Sequence, residues 1–115
     1  MEIRYSDKFL VIAPLTEKLD SYDIKKIANE LSLESRKIGL DLNYACDCTI
    51  GFIEGLKNLC KTKDIGIFNI PSDIFAMFNF MKVDKSANLF VSELDFRENT
   101  RILVNRKFNL CKTSI

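Results

Sequence analysis

Short apolar runs alternate with helical patterns along this chain, and that alternation restricts the fold more than any other feature. Runs rich in β-branched and aromatic residues predict strands at 2–5, 9–13, 37–42, 64–70 and 86–91. Crossovers through helices imply parallel strands covered by those helices. The order β-β-α-β-α-β-α-β-α predicts an α/β fold with a mixed, mostly parallel β-sheet packed by about four α-helices. The N-terminal hairpin would add an antiparallel edge.

The four predicted helices differ in how clearly the sequence marks them. Apolar residues at i, i+3, i+4 and i+7 mark the first three. Their stripes are Ile24, Ile27, Ala28 and Leu31; Thr49, Phe52, Ile53, Leu56, Leu59 and Cys60; and Ile74, Met77, Phe78 and Met81. Ser21 or Asp20 is expected to cap the first helix and Asp47 the second, and Pro71 fits the first turn of the third. A short fourth helix is expected from Ser92 to about Asn99. Residues 102–104 and 108–111 would continue that helix or form a late strand, and we favour an extended tail.

The composition favours one small domain spanning 1–115 that binds something and performs no catalysis. The 115 residues carry a net charge of +1, so the chain lacks the basic excess expected of a nucleic-acid-binding protein. There is no histidine, which removes the usual general base and most transition-metal sites. The N-terminal residues are charged and no apolar run approaches the length of a membrane span. We therefore expect a cytoplasmic protein without direct membrane insertion.

Four cysteines are present, at positions 46, 48, 60 and 111. Cys46 and Cys48 form a C-x-C pair, which is not the paired C-x2-C spacing of a structural zinc site. Free buried thiols are the expected state in a reducing compartment. A redox role for Cys48 is the alternative, and it would require a lowered thiol pKa at the start of the second helix.

Three segments in order resemble the STAS domain family, which includes bacterial anti-sigma factor antagonists and the cytoplasmic part of sulfate transporters. Residues 11–20 resemble the family's apolar strand followed by G-x-L-D, with Glu17 at the glycine position. Residues 38–43 resemble its central strand, which ends in Asp-Leu-Ser. Residues 47–52 fall where the family has Asp-Ser-Ser-Gly-Leu. The resemblance covers residues 2 to about 98 and leaves 99–115 as a C-terminal extension.

The resemblance implies a phosphoacceptor at the start of the second helix. Thr49 corresponds to the second serine of the family motif, Cys48 to the first, and Asp47 matches directly. Ile50 stands at the glycine position and Gly51 lies one residue late, so this chain would either keep phosphoregulation or retain binding without it. The alternative for Thr49 itself is a plain helix-capping hydroxyl.

Two further carboxylates belong to the partner surface that the resemblance implies. Asp20 corresponds to the family's loop aspartate, although an N-cap role explains it equally well. Asp41, at the end of a strand, would lie near the acceptor, or would form an Asx-turn. Asp41 and Asp47 together make a poor magnesium site, so no metal and no cofactor are expected.

The third helix carries more aromatic residues than one apolar stripe requires. Phe75 and Phe80 fall partly off its inward face. Such residues mark either a partner or homodimer contact, or a wide core face.

These observations favour a non-catalytic, protein-binding regulatory domain that resembles anti-sigma factor antagonists. The expected partner is an anti-sigma factor of the serine/threonine kinase type, and phosphorylation at the start of the second helix would end the binding. The alternative is a non-phosphorylated STAS-like accessory or scaffold subunit, for example of a transport complex.

Overall fold

The computed structural model describes residues 1–104 and 110–114, with side chains as far as Thr100. The nine strands in this part of the chain are β1 (Glu2–Tyr5), β2 (Phe9–Ala13), β3 (Lys18–Leu19), β4 (Lys37–Asp41), β5 (Asp47–Cys48), β6 (Ile65–Phe68), β7 (Asn88–Leu89), β8 (Thr100–Val104) and β9 (Leu110–Ser114). The helices described are α1 (Ser21–Glu30), α2 (Ile50–Leu59), α3 (Ser72–Phe80) and α4 (Glu93–Glu98), with a 3-10 turn at Val83–Lys85.

Five strands form the main sheet, in the order β1-β2-β4-β6-β7. β1 is antiparallel to β2, and the remaining neighbours are parallel. The turn between β1 and β2 is closed by Ser6, whose N–H donates to Phe9 O and whose hydroxyl oxygen accepts from Phe9 N. The predicted α/β class, the mostly parallel sheet, the antiparallel N-terminal edge and the four helices are confirmed.

One face of this sheet is covered by α1, α2 and α3. Alternate residues of the strands, including Ile12, Leu40 and Ile67, are fully or almost fully buried against these helices. The predicted stripes supply the helical side of this core through Ile24, Phe52 and the residues that follow them at helical spacing. Helical periodicity and strand alternation therefore both point to this core.

The opposite face is covered by α4 and holds a separate aromatic cluster. Phe96 of α4 is fully buried among Phe9, Phe68 and Phe90, with ring centroids 5.2, 5.3 and 5.6 Å away. A β-carbon on Gly39 or Gly66 would lie 2.9 or 2.6 Å from the nearest Phe96 atom. The two glycines thus leave the space that the Phe96 ring fills.

Several sequence expectations need correction in detail. Thr49 and not Asp47 caps α2, because Asp47 belongs to the short strand β5. Pro71 is the N-cap of α3 and not a residue of its first turn. The predicted strand 86–91 is reduced to β7, because Ser86 N and Ala87 N both donate to Val83 O and so close the 3-10 turn instead of extending the strand.

The chain after α4 is extended, as favoured, but it is paired as the antiparallel strands β8 and β9. Residues 105–109, which include part of the predicted late segment 108–111, lie outside the described residues. Within the described part, no helix has the length and apolar character needed to cross a bilayer.

Candidate functional site

The loops that follow β2 and β4 are joined to each other at one end of the sheet. Strand β3 pairs with β5 in parallel, with Leu19 opposite Cys48. Glu17 O accepts hydrogen bonds from Cys46 N at 2.7 Å and Asp47 N at 3.1 Å, and Leu19 O accepts one from Thr49 N at 2.9 Å. This small sheet holds the start of α1 beside the start of α2. Its two strands have only two residues each, which is too short for a strand pattern to be recognised in the sequence.

Thr49 is the N-cap of α2. Its hydroxyl oxygen accepts a hydrogen bond from Phe52 N at 3.2 Å, and its backbone is extended, as N-cap residues usually are. The side chain is half-buried. The capping role considered from the sequence is therefore present, and it leaves the hydroxyl proton free to be donated elsewhere.

Asp20 and Asp47 lie on the two joined loops, and both are exposed. Asp20 caps α1 in a capping box, in which it accepts from Asp23 N and Tyr22 N while Asp23 accepts from Asp20 N. The hydrogen bond from Asp23 N is the largest cause that lowers the pKa of Asp20 below its ordinary value. The Asp47 carboxylate accepts from Cys48 N at 2.8 Å.

Ile50 and Gly51 occupy different surroundings. Ile50 is the first residue of α2 and is 59% exposed. Gly51 faces α1, where a β-carbon would lie 3.4 Å from Ser21 Cβ, an ordinary contact distance. Gly51, which follows Ile50, therefore lies at the junction between α1 and α2.

Four apolar side chains on the two joined loops and on the helix starts that follow them are exposed, and the sequence did not single them out as binding residues. They are Leu15 (54% exposed), Tyr22 (65%), Tyr44 (47%) and Ile50. We call these four residues together with Thr49 the loop surface. Leu15 and Tyr44 lie on the joined loops and Tyr22 and Ile50 in the first turns that follow them. The sequence feature that could have identified this surface is an apolar residue within each polar loop. Exposed apolar groups of this kind are typical of interaction sites.

Cys48 is buried directly beneath this surface. Burial, followed by the neighbouring Asp47 carboxylate, raises the pKa of the Cys48 thiol to about 11. A redox role would need the opposite shift, so the burial of Cys48 and its raised pKa argue against that hypothesis. Cys46 is an exposed free thiol and Cys60 is a half-buried one, whereas the side chain of Cys111 lies outside the described residues.

Asp41 lies on the other side of the sheet from α2. It follows Gly39 in strand alternation and therefore faces α4. Its buried carboxylate accepts from Asn43 N at 3.0 Å, from Asn69 Nδ2 at 3.1 Å and from Arg4 at 3.3 Å. Asp41 thus forms the Asx-turn that the sequence left open, and it also anchors a strand end.

Phe75 and Phe80 of α3 are not brought to Thr49 as a pair. Phe75 is half-buried and packs against the core beneath α1, α2 and α3, as the wide-core alternative predicted. Phe80 is 87% exposed at the C-terminal end of α3. Because α3 runs back along the sheet from the carboxyl end of β6, Phe80 lies toward the end of the domain away from the loop surface.

No protein-family model matches this chain, and neither does any curated protein. Among solved structures, the chain is similar to one described as the NMR structure of the protein TM1081. The two share 14% sequence identity with a TM-score of 0.68, over 84% of this chain and 85% of that one. The similarity shows a shared fold.

Among residues 1–100, whose side chains are described, no group of three or more acidic or cysteine side chains is arranged to hold a metal ion. Asp41 and Asp47 in particular face different parts of the molecule, since Asp41 faces α4 and Asp47 lies on β5. The joined loops near Thr49 offer its hydroxyl, the exposed carboxylates of Asp20 and Asp47, and exposed apolar side chains.

Proposed function

We propose that this chain is a STAS-like domain of the anti-sigma factor antagonist type. It binds an anti-sigma factor with a serine/threonine kinase domain through the loop surface, and phosphorylation of Thr49 ends that binding. The carrying observation is the position of Thr49, a half-buried hydroxyl at the N-cap of α2 on two joined loops that, with the helix starts after them, carry exposed apolar side chains. The sequence resemblance over residues 47–52 supports the same assignment.

The chemistry of the switch belongs to the partner. Thr49 Oγ1 attacks the γ-phosphorus of ATP held by the kinase, the bond from that phosphorus to the β,γ-bridging oxygen breaks, and ADP leaves. The hydroxyl proton passes to a base of the kinase. The capping hydrogen bond from Phe52 N uses one lone pair of Thr49 Oγ1, so the hydroxyl keeps a lone pair and its proton for this reaction.

The product alters the surface without unfolding the helix. A phosphate adds roughly −1.5 to −2 charges at pH 7. Negative charge at the start of a helix is favourable, so α2 tolerates the phosphate. A partner that buries Ile50 and Tyr44 would have to desolvate that charge, which weakens the complex.

The test has two stages, and the first asks whether Thr49 is the acceptor. Wild type, Thr49→Ala and Thr62→Ala are incubated with ATP and a purified anti-sigma kinase, and intact masses are measured. We expect one phosphate on wild type and on Thr62→Ala, whose exposed hydroxyl lies at the far end of α2, and none on Thr49→Ala. Labelling of Thr49→Ala would contradict the assignment of the acceptor.

The second stage asks whether the phosphate controls binding. Immobilised wild type, Thr49→Glu and Thr49→Gln are compared in native lysate, with captured proteins identified by mass spectrometry. The proposal expects a kinase-domain protein on wild type and Thr49→Gln and its loss on Thr49→Glu. Equal capture by Gln and Glu variants would contradict the switch.

The accessory or scaffold role without phosphorylation is the second candidate. The exposed Ile50 favours it, because a β-branched side chain beside the acceptor narrows the approach of a kinase. This role predicts partner capture that is the same for wild type, Thr49→Gln and Thr49→Glu, together with no phosphate on any variant.

A further inference from the structure

The groove between α1 and α2 begins beside Thr49. It has a volume of about 290 Å³ and is lined by Ser21, Ile24, Lys25, Ala28, Gly51, Gly55, Asn58 and Leu59. Its floor is narrow at Gly55, where a β-carbon would lie 2.6 Å from Ile24 Cγ2. At Gly51 the helices leave more room, since a β-carbon there meets its neighbours at ordinary contact distances.

Two hydroxyl groups border this wider end, one on each side of Gly51. A β-carbon on Gly51 would lie 3.8 Å from Thr49 Oγ1 and 3.9 Å from Ser21 Oγ, so the two oxygens are at most about 7.7 Å apart. A phosphoryl group on Thr49 extends two bonds beyond Oγ1, and a charge-assisted hydrogen bond adds about 2.6 Å. A phosphate oxygen lies about 2.5 Å from Oγ1, so its hydrogen-bond donor stands roughly 5 Å from Oγ1. The Ser21 hydroxyl is therefore within reach in the side-chain rotamers that bring it well inside the limit of about 7.7 Å.

The polar groups that would receive a phosphate are free within the described structure. Ser21 Oγ and Lys25 Nζ are exposed, and neither has a hydrogen-bond or ion-pair partner among the described residues. Lys25 is the charged residue among the eight that line the groove. The neighbouring Lys26 is different, because its ammonium lies 5.0 Å from the centre of the Tyr22 ring.

We propose that the groove between α1 and α2 receives the phosphate of phosphorylated Thr49, with the Ser21 hydroxyl as hydrogen-bond donor and Lys25 as its counter-ion. This inference rests on the proposed function, since it concerns the same acceptor. In the phosphorylated state the phosphate would then be bound within the same chain and turned toward α1. The partner would meet a loop surface with a more negative electrostatic potential.

The experiment installs phosphothreonine directly at position 49 by genetic-code expansion and follows its phosphorus NMR signal during a pH titration. A cation near the phosphate favours the dianion, so the second pKa of the phosphate should lie below its usual value of about 6. Lys25→Gln should raise that pKa by about half a unit, as expected for one charge at 5 Å in a largely aqueous setting. Ser21→Ala should raise it by a smaller amount.

Two further variants make the result specific. Lys26→Gln removes the same charge from the next position of α1 and should move the pKa by less than half as much as Lys25→Gln. Gly51→Ala places a methyl group between the two hydroxyls and should raise the pKa although it favours the helix. A wild-type pKa equal to that of a phosphothreonine peptide, or equal effects of the two lysine variants, would overturn the inference.

The installed phosphate separates this inference from the proposed function. Absence of kinase labelling at Thr49 would overturn the proposed switch and, with it, the biological use of the groove. An unshifted phosphate pKa in the installed protein would overturn the groove inference alone, even where the kinase phosphorylates Thr49.

Discussion

The two faces of the main sheet are built on different principles. The face under α1, α2 and α3 is an aliphatic core spread over three helices of nine or ten residues. The face under α4 depends on a helix of six residues that places one fully buried ring, Phe96, into a small aromatic cluster. An isolated helix of that length is not stable in water, so α4 depends on its packing.

The polar interactions of the two faces differ in the same way. On the three-helix face, the polar contacts near the site are helix caps at Asp20 and Thr49. On the other face, Arg4 pairs with Glu2, Asp41 and Glu93 and thereby links β1, β4 and α4. The three-helix face therefore tolerates local change near Thr49, whereas the α4 face concentrates its stability in few residues.

Phe96→Ala is the largest expected effect and tests that contrast directly. Loss of the ring empties the space above Gly39 and Gly66 and should lower the free energy of unfolding by about 3–5 kcal/mol, measured by chemical denaturation. Leu94→Ala, on the same helix but 62% exposed, should change it by less than about 0.5 kcal/mol. Similar losses for both variants would show that the buried Phe96 ring contributes no more than an exposed side chain and would contradict the contrast between the two faces.

Asp41→Ala should have the next largest effect. The change leaves Asn43 N and Asn69 Nδ2 without the acceptor they share, which costs about 1–3 kcal/mol of unfolding free energy. Asp7→Ala, in the exposed turn between β1 and β2, is the matched control and should stay within about 0.5 kcal/mol. Because Asp41 faces α4, Asp41→Ala should leave kinase labelling of Thr49 intact, and loss of labelling in a folded variant would break the separation of the two faces.

The sequence predicts the three-helix face well because periodicity reports it directly. The buried residues Ile24, Phe52 and Ile74 all fall in the predicted stripes. The α4 face is less visible, since Gly39 and Gly66 carry no side chain and only the partner ring explains them. Contacts between elements distant in the chain have no local pattern.

The same distinction applies to the site. Local signals placed the α1 cap at Ser21 or Asp20, and it is Asp20; they left Phe80 either exposed or part of a wide core face, and it is exposed. The pairing of β3 with β5 was not, because two-residue strands carry no periodicity, and it moves the α2 cap from Asp47 to Thr49. The different directions of Asp41 and Thr49 depend on strand alternation combined with helix placement, which only the three-dimensional structure supplies.

Thr49→Ala should have a smaller effect on stability than the two changes on the α4 face. It removes the hydrogen bond to Phe52 N and should cost about 1 kcal/mol in denaturation experiments. Thr49→Ser keeps the oxygen and should retain most of that stability and remain a kinase substrate. A loss above about 3 kcal/mol for Thr49→Ala would exceed the cost of a lost cap and would contradict the tolerance inferred for this region.

The smallest expected effect is the dependence of stability on the ionisation of Asp20. The hydrogen bond from Asp23 N holds the pKa of this carboxyl below its ordinary value of 3.8. The folded state therefore prefers the carboxylate, and its contribution is present above about pH 4 and is lost as pH falls through the folded pKa. Asn and Ser also cap helices but do not titrate. As the pH falls, wild type should therefore lose stability relative to Asp20→Asn and Asp20→Ser. Unfolding measured between neutral pH and pH 3 checks this, and parallel pH profiles for all three proteins would show that the exposed cap on the three-helix face adds no acid sensitivity.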